Sequence, residues 1–197
     1  MPQSFSPLSP TGLAPRTGYR RPAFFSQRVT LESPATAVMT DLDRVAAVTI
    51  GPNVSIEMAN QCMIAAGVRL LLVVDEQQQI AGLITATDIL GEKPFKHMQR
   101  TGESFSEIVV GDLMTTQEEL DVLRLRDVSR ARVGDIVATL KYFGRQHALV
   151  VEETGERAAQ RLCGIFSATQ IGRQLGMSVA PGEVATTFAQ LETALNL

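Results

Sequence analysis

The chain has 197 residues, of which 45% are hydrophobic and 20% charged. That is enough for one ordinary domain, or two small ones, around a genuine core. Its 18 Lys and Arg against 21 Asp and Glu leave a net charge of −3, which gives neither the electrostatic footprint of a nucleic-acid binder nor a polybasic membrane patch. The longest apolar run, Leu70–Val74, is far too short to span a bilayer. Cys62 and Cys163 set up no disulfide framework, so a reducing, cytoplasmic setting is expected.

Residues 1–34 are rich in Pro, Ser, Gly and Arg. Such a stretch buries too little apolar area to offset its ordering entropy and reads as a flexible, disordered tail. Arg20-Arg21 is followed by Pro22-Ala23-Phe24-Phe25 and then Ser26-Gln27-Arg28, with no apolar run of an export signal.

The body then says one thing twice. Met39-Thr40 recurs as Met114-Thr115, Gly67 as Gly144, and Val73-Val74 as Val150-Val151. Gly82-Leu83-Ile84-Thr85-Ala86-Thr87-Asp88-Ile89 recurs as Gly164-Ile165-Phe166-Ser167-Ala168-Thr169-Gln170-Ile171. The offset grows from 75 (115 − 40) through 77 (144 − 67) to 82 (164 − 82), placing short insertions near 126–130 and within 152–161. Each copy reads β-α-β-β-α. In the first, Val45–Ile50 is a strand candidate, Gly51-Pro52-Asn53 a turn, and Ser55 the N-cap of a helix to about Ala66. Ile56, Ala59, Met63 and Ala66 share one helical face, as do Val133, Ile136, Leu140 and Phe143 in the second copy. Gly67 and Gly144 follow the helix ends, where a left-handed cap needs no Cβ. Leu70–Val74 and Ile80–Ile84 are continuous apolar strands, the signature of a sheet covered on both faces. The expected organisation is a tail over 1–34, repeat one over 35–91, a polar helical connector over 92–110, repeat two over 111–176 and an extension over 177–197. In that extension, Ala185–Leu195 is a short amphipathic helix candidate with Phe188, Leu191 and Leu195 on one stripe.

The Met-Thr start, the helix, Leu-Leu-Val-Val-Asp and Gly-hydrophobic-hydrophobic-Thr-x-x-Asp together resemble the cystathionine β-synthase (CBS) domain. Two such copies in tandem are similar to the arrangement called a Bateman module. The resemblance covers about residues 36–176. It implies an α/β pair of pseudo-symmetric repeats that commonly dimerises. It also implies a regulatory module that binds an adenosine-containing ligand such as AMP, ADP, ATP or S-adenosylmethionine in the cleft between repeats, and acts on an effector protein. By that resemblance Thr85 and Asp88, with Thr87 between them, contact phosphate and ribose. Thr40, Asp41, Leu42, Leu71 and Leu72 frame the adenine. A second, degenerate site would hold Thr115, Ala148, Ser167, Thr169 and Gln170. The family has Pro before Val-Val where this chain has Leu72 and Leu149, and Asp where it has Gln170.

The residue chemistry is double-edged. Thr85 stands where a strand gives way to a helix, and a carboxylate three residues on accepts from two ribose hydroxyls at once. The same Thr-x-x-Asp spacing is a capping box that needs no ligand, and Ser167-x-x-Gln170 is one too. A Gln amide has one acceptor oxygen and no charge, so ribose binding does not survive equally at Gln170. A ligand-free scaffold, in which Thr85 and Asp88 only cap a helix, therefore stands as the alternative. Phosphate needs cations. Arg69, His147 and Arg145 are the candidates, while Arg44, Lys141 and Arg173 read as solvated faces. No metal site is expected from His97 and His147 or from the two Cys, no bound cofactor is implied, and no phosphate loop or nucleophile elbow points to an enzyme.

Overall fold

The computed structural model describes residues 14–17, 29–154, 159–177 and 179. In chain order its strands and helices are β1 (Thr40–Asp41), β2 (Thr49–Ile50), α1 (Ile56–Ala66), β3 (Leu70–Val74), β4 (Ile80–Thr85), α2 (Ala86–Leu90), α3 (Lys93–Thr101) and α4 (Val110–Leu113). They continue with β5 (Thr115–Thr116), β6 (Val122–Arg124), α5 (Leu125–Val128), α6 (Val133–Tyr142), β7 (His147–Thr154), β8 (Ala159–Ser167) and α7 (Ala168–Leu175). Local chemistry sets the helix limits. Ser55 accepts from the Met58 amide at 3.2 Å, and Gly67 closes α1 at φ 66°. Gly144 does the same after α6 at φ 61°.

Two four-stranded sheets result, ordered β2-β3-β4-β5 and β1-β8-β7-β6. Neither belongs to one repeat alone. The opening strand of repeat one, β1, pairs antiparallel with β8, and the opening strand of repeat two, β5, pairs with β4. The exchange is reciprocal in the cores as well. Ala35 and Val38 pack among Val133, Ile136, Phe166 and Ile171, whereas Ile108, Val110 and Leu113 pack among Ile56, Met63, Leu71 and Ile84. A glycine licenses each crossing. A Cβ on Gly82 would collide with the Thr115 carbonyl, and one on Gly164 with the Met39 side chain.

β3 is buried along its whole length. Its side chains alternate, so Leu71 and Val73 face α1 while Leu70 and Leu72 face the other sheet. With Leu149, Leu83, Leu162 and Ile165 they form the apolar layer that joins the two sheets. Both β3–β4 and β7–β8 shift register after the first valine of the Val-Val pair, so the repeat extends to an irregularity.

Several expectations change. Of Val45–Ile50 only Thr49–Ile50 is strand, and Val45–Val48 line a cleft. The family-like β-α-β-β-α core therefore gains a two-residue strand in front of each copy. Ala66 is exposed and Phe143 is 56% exposed. Each sits at or beyond the last turn, where the helix has already risen off its sheet. The stretch 152–161, expected as a polar link between strands, lengthens the hairpin itself, pairing Glu152 with Arg161 and Glu153 with Gln160. The insertion near 126–130 carries α5, and the connector holds α3 and a 3-10 turn at Phe105–Glu107. Most of the expected tail and the Ala185–Leu195 helix lie outside the described residues. Residues 29–34 do not lie free, however. Val29 and Leu31 pack on the second core, Pro34 bridges to Arg132, and Glu32 forms an ion pair with Arg132. Among the described residues no helix is long and apolar enough to cross a membrane.

Candidate functional site

The exchanged strands decide which residues meet. β1 carries Thr40 into the second repeat's sheet, opposite Ile165. There its hydroxyl donates to Gln170 Oε1 at 3.2 Å. A cavity of about 330 Å³ opens beside this bond, lined by Leu42, Val45–Val48, Gly67–Leu70 and Leu72 from repeat one and by His147, Ile165, Ser167, Thr169 and Gln170 from repeat two. It is mostly apolar. Thr169, Arg69 and Arg173 also line a second, more open space of about 490 Å³ with Gln146, Gly172 and Met177. The two spaces share their rim, so the cleft has an apolar compartment and a cationic mouth.

Electrostatics sharpen this picture. Arg69 and Arg173 are both exposed and have no ion-pair partner among the described residues. No Asp or Glu is among the described residues that line either compartment. His147 Nδ1 is buried without a hydrogen-bond partner. Burial chiefly, and the Arg69 charge next, push the His147 imidazole down to about 4, with Asp88 opposing. The ring is therefore neutral at pH 7 and can accept or donate one bond.

Thr85 and Asp88, at the start of α2, are not among the lining residues of either compartment. The Thr85 amide and hydroxyl donate to Asp88 Oδ2 at 2.8 and 2.6 Å, and the Asp88 amide donates to the Thr85 hydroxyl at 3.3 Å. Lys93 Nζ lies 2.7 Å from Asp88 Oδ1. Both carboxylate oxygens are thus occupied within the chain. Thr115 is brought to the repeat-one sheet that carries Thr85, because β5 pairs with β4. The sequence grouped Thr40 with Asp88 and Thr115 with Gln170; the fold groups Thr40 with Gln170 and Thr115 with the sheet that carries Thr85. The reason is the strand exchange, which no local pattern reveals.

The remaining expected residues divide as follows. Leu42, Leu72, Ser167, Thr169, Arg69 and His147 line the cleft. Leu71 is fully buried against α1, Ala148 packs into the second core, and Thr87 is exposed. Asp41 caps the Asp43 amide at 3.0 Å and pairs with Arg44. Arg145 is held by Asp121 at 2.6 Å and lies over the Phe143 ring, away from the cleft. Arg173, read as a solvated face, instead guards the mouth. It lies three residues beyond Gln170 on α7, a spacing that puts both on one helix side. Val45–Val48 were also missed, since a run of small apolar residues reads equally as strand. Leu72, standing where the family has Pro, uses its amide to donate to the Val48 carbonyl at 3.1 Å, which pins that segment. Outside the cleft, His97, Glu103 and Asp112 bring ligating atoms within 4.8 Å of one another. The His97 ring is already bonded to Glu103 at 2.7 Å, with Arg100 3.4 Å from its other nitrogen.

Two α/β repeats that trade edge strands and enclose a cleft between their sheets define a class of tandem-repeat α/β modules. Residues 36–94 match the family model of the CBS domain. This segment is thus similar to a CBS domain, and the whole has the fold of a tandem CBS pair. A conserved protein of Pyrococcus horikoshii is similar at 19% identity and TM-score 0.53, over 74% of this chain and 93% of that one. CBSX2 of Arabidopsis thaliana, solved in complex with AMP, is similar at 23% identity and TM-score 0.50, over 72% and 94%. A CBS-domain protein of Agrobacterium tumefaciens is similar at 22% and 0.50, over 68% and 88%. No curated protein matches the sequence.

Proposed function

We propose that the chain is a regulatory module, with no catalytic role, that binds an adenosine-containing nucleotide in the cleft between Thr40 and Gln170. The carrying observation is the union of an apolar, 330 Å³ compartment with two arginines that have no ion-pair partner, and with no carboxylate at its rim, among the described residues. A base fits the first and a phosphate the second. The AMP complex of the similarly folded CBSX2 supports the same class of ligand. The arginine mouth favours AMP, ADP or ATP over S-adenosylmethionine, whose sulfonium and ammonium are cationic. Exposed Met58 and Ile64 on α1, with Tyr142 and Phe143 at the end of α6, offer apolar surface for a homodimer, through which binding would be passed to an effector. A cytoplasmic setting suits the two free thiols.

Calorimetric titration with AMP, beside Arg69→Ala and Arg173→Ala, tests this. A charge-assisted bond contributes about 1.5–3 kcal/mol, so each variant is expected to weaken AMP by roughly 10- to 100-fold. Wild-type affinity for AMP equalled by both variants, or no binding at all, would remove the reading. The ligand-free scaffold remains the second reading, favoured by one observation: Thr85 and Asp88 do form a complete capping box.

A further inference from the structure

The fold builds the frame of the cleft twice, and the two copies are not alike. β5 sets Thr115 opposite Leu83 as β1 sets Thr40 opposite Ile165. Thr85 caps α2 as Ser167 caps α7, which places Asp88 where the open cleft has Gln170. At the open cleft a neutral amide meets a threonine hydroxyl, and space lies beside them. At the second frame a space of about 460 Å³ is lined by Lys93, Leu113, Thr115 and Glu119, and an ammonium holds the Asp88 carboxylate beside it. Lys93 Nζ lies 2.7 Å from Asp88 Oδ1 and donates to the Leu113 carbonyl at 3.1 Å.

We propose that Lys93 is an internal latch that keeps Asp88 out of use in this second cleft, so that each chain takes one nucleotide instead of two. For the identity of the ligand this rests on the reading given above.

The chain's own course explains the asymmetry. In repeat one the helix after β4 breaks at Gly91, and a new helix starts at Lys93, with Pro94 in its first turn. That break swings a lysine back over the carboxylate three residues before Gly91. In repeat two α7 runs unbroken from Ala168 to Leu175; the chain then turns back at Gly176 onto Gly172 through Met177 and Val179, no lysine or arginine among the described residues pairs with Gln170, and Arg173 lines the mouth. The strand registers add a second difference. Thr49 pairs with Leu72 and Val122 with Leu149, which makes Leu120 the counterpart of Ala47. Both lie in the layer between the sheets. The larger side chain narrows the latent cleft, so its affinity, once released, is the weaker of the two. Asp88 keeps what the open cleft lacks, a charged acceptor for a pair of hydroxyls. The side chain of Asp88 is 14% exposed and that of Lys93 47%, so the latch closes from the solvent side and is removable without touching the core.

Titration of the full chain with AMP and with ADP reads the stoichiometry directly. Wild type is expected to bind one nucleotide per chain. Lys93→Ala is expected to bind two, the second weaker, and Lys93→Ala with Asp88→Ala to return to one. Two equivalents in wild type, or one in folded Lys93→Ala, would overturn the latch. A ligand-independent measurement separates this from the reading it rests on. Competitive labelling with acetic anhydride, read by mass spectrometry, is expected to modify Lys93 several-fold more slowly than Lys96, and Asp88→Asn to remove the difference. Equal rates in wild type overturn the latch whatever the nucleotides do. Slow labelling with a wild type silent to both nucleotides keeps the latch and sinks the nucleotide reading of the open cleft.

Discussion

Replacing Asp88 by Ala is expected to cost stability and leave nucleotide affinity intact. The carboxylate accepts from the Thr85 amide and hydroxyl and holds Lys93. Loss of an N-terminal cap costs about 1 kcal/mol. The ion pair adds little, roughly 0.5 kcal/mol, because the lysine is half exposed and screened. The total is about 1.5 kcal/mol, or roughly 3–6 °C for a chain of this size. Urea unfolding should show a lower midpoint with an unchanged slope, since no core surface is altered. AMP at 100 times its dissociation constant should still add about 2.7 kcal/mol to wild type and variant alike. An unchanged apo midpoint, joined to loss of the AMP-induced shift, would show Asp88 to be a ligand contact and would refute this account of both clefts.

The two crossing glycines should differ. Gly82→Ala drives a Cβ into the Thr115 backbone carbonyl, which cannot move without unpairing β5, and is expected to cost at least about 2 kcal/mol in urea unfolding. Gly164→Ala meets only the flexible Met39 side chain and should cost less, with Met39→Ala restoring part of the loss. His147 makes stability pH-dependent. Its imidazole titrates at about 4 in the folded chain against 6.5 ordinarily, so the unfolded chain takes the proton first. Stability contributed by the neutral ring is present above pH 6.5 and falls as pH drops to 4, by about 2–3 kcal/mol, and His147→Asn should flatten that part of the profile. Raising salt from low to physiological strength should weaken AMP at the arginine mouth while barely moving the apo midpoint.

Much of the fold is legible in the residues because it is locally encoded. Ser55 and Gly67 bracket α1, and the five apolar residues of Leu70–Val74 announce a strand covered on both sides. The repeated Gly-hydrophobic-hydrophobic segment announces the second copy. The pairing of sites is not legible. Whether Thr40 meets Asp88 or Gln170 depends on which sheet a two-residue strand joins, and two residues carry no periodicity. Arg173 is hidden for a related reason. An exposed arginine on a polar helix face looks solvated until the cleft beneath it is built. The Thr-x-x-Asp spacing serves two chemistries equally, and the lysine that occupies Asp88, brought round by the break at Gly91, has no signal in that spacing.

The traded edge strands also constrain the protein's history of assembly. A half-chain holding one repeat would fold with a bare sheet edge at β4 or β8 and an unfilled slot where its partner's Met-Thr segment belongs. Such an edge is a template for another strand. Two half-chains could fill one another's slots and rebuild the pair in trans, so the linkage between the repeats supplies high local concentration for a contact that separate copies would otherwise have to find by diffusion.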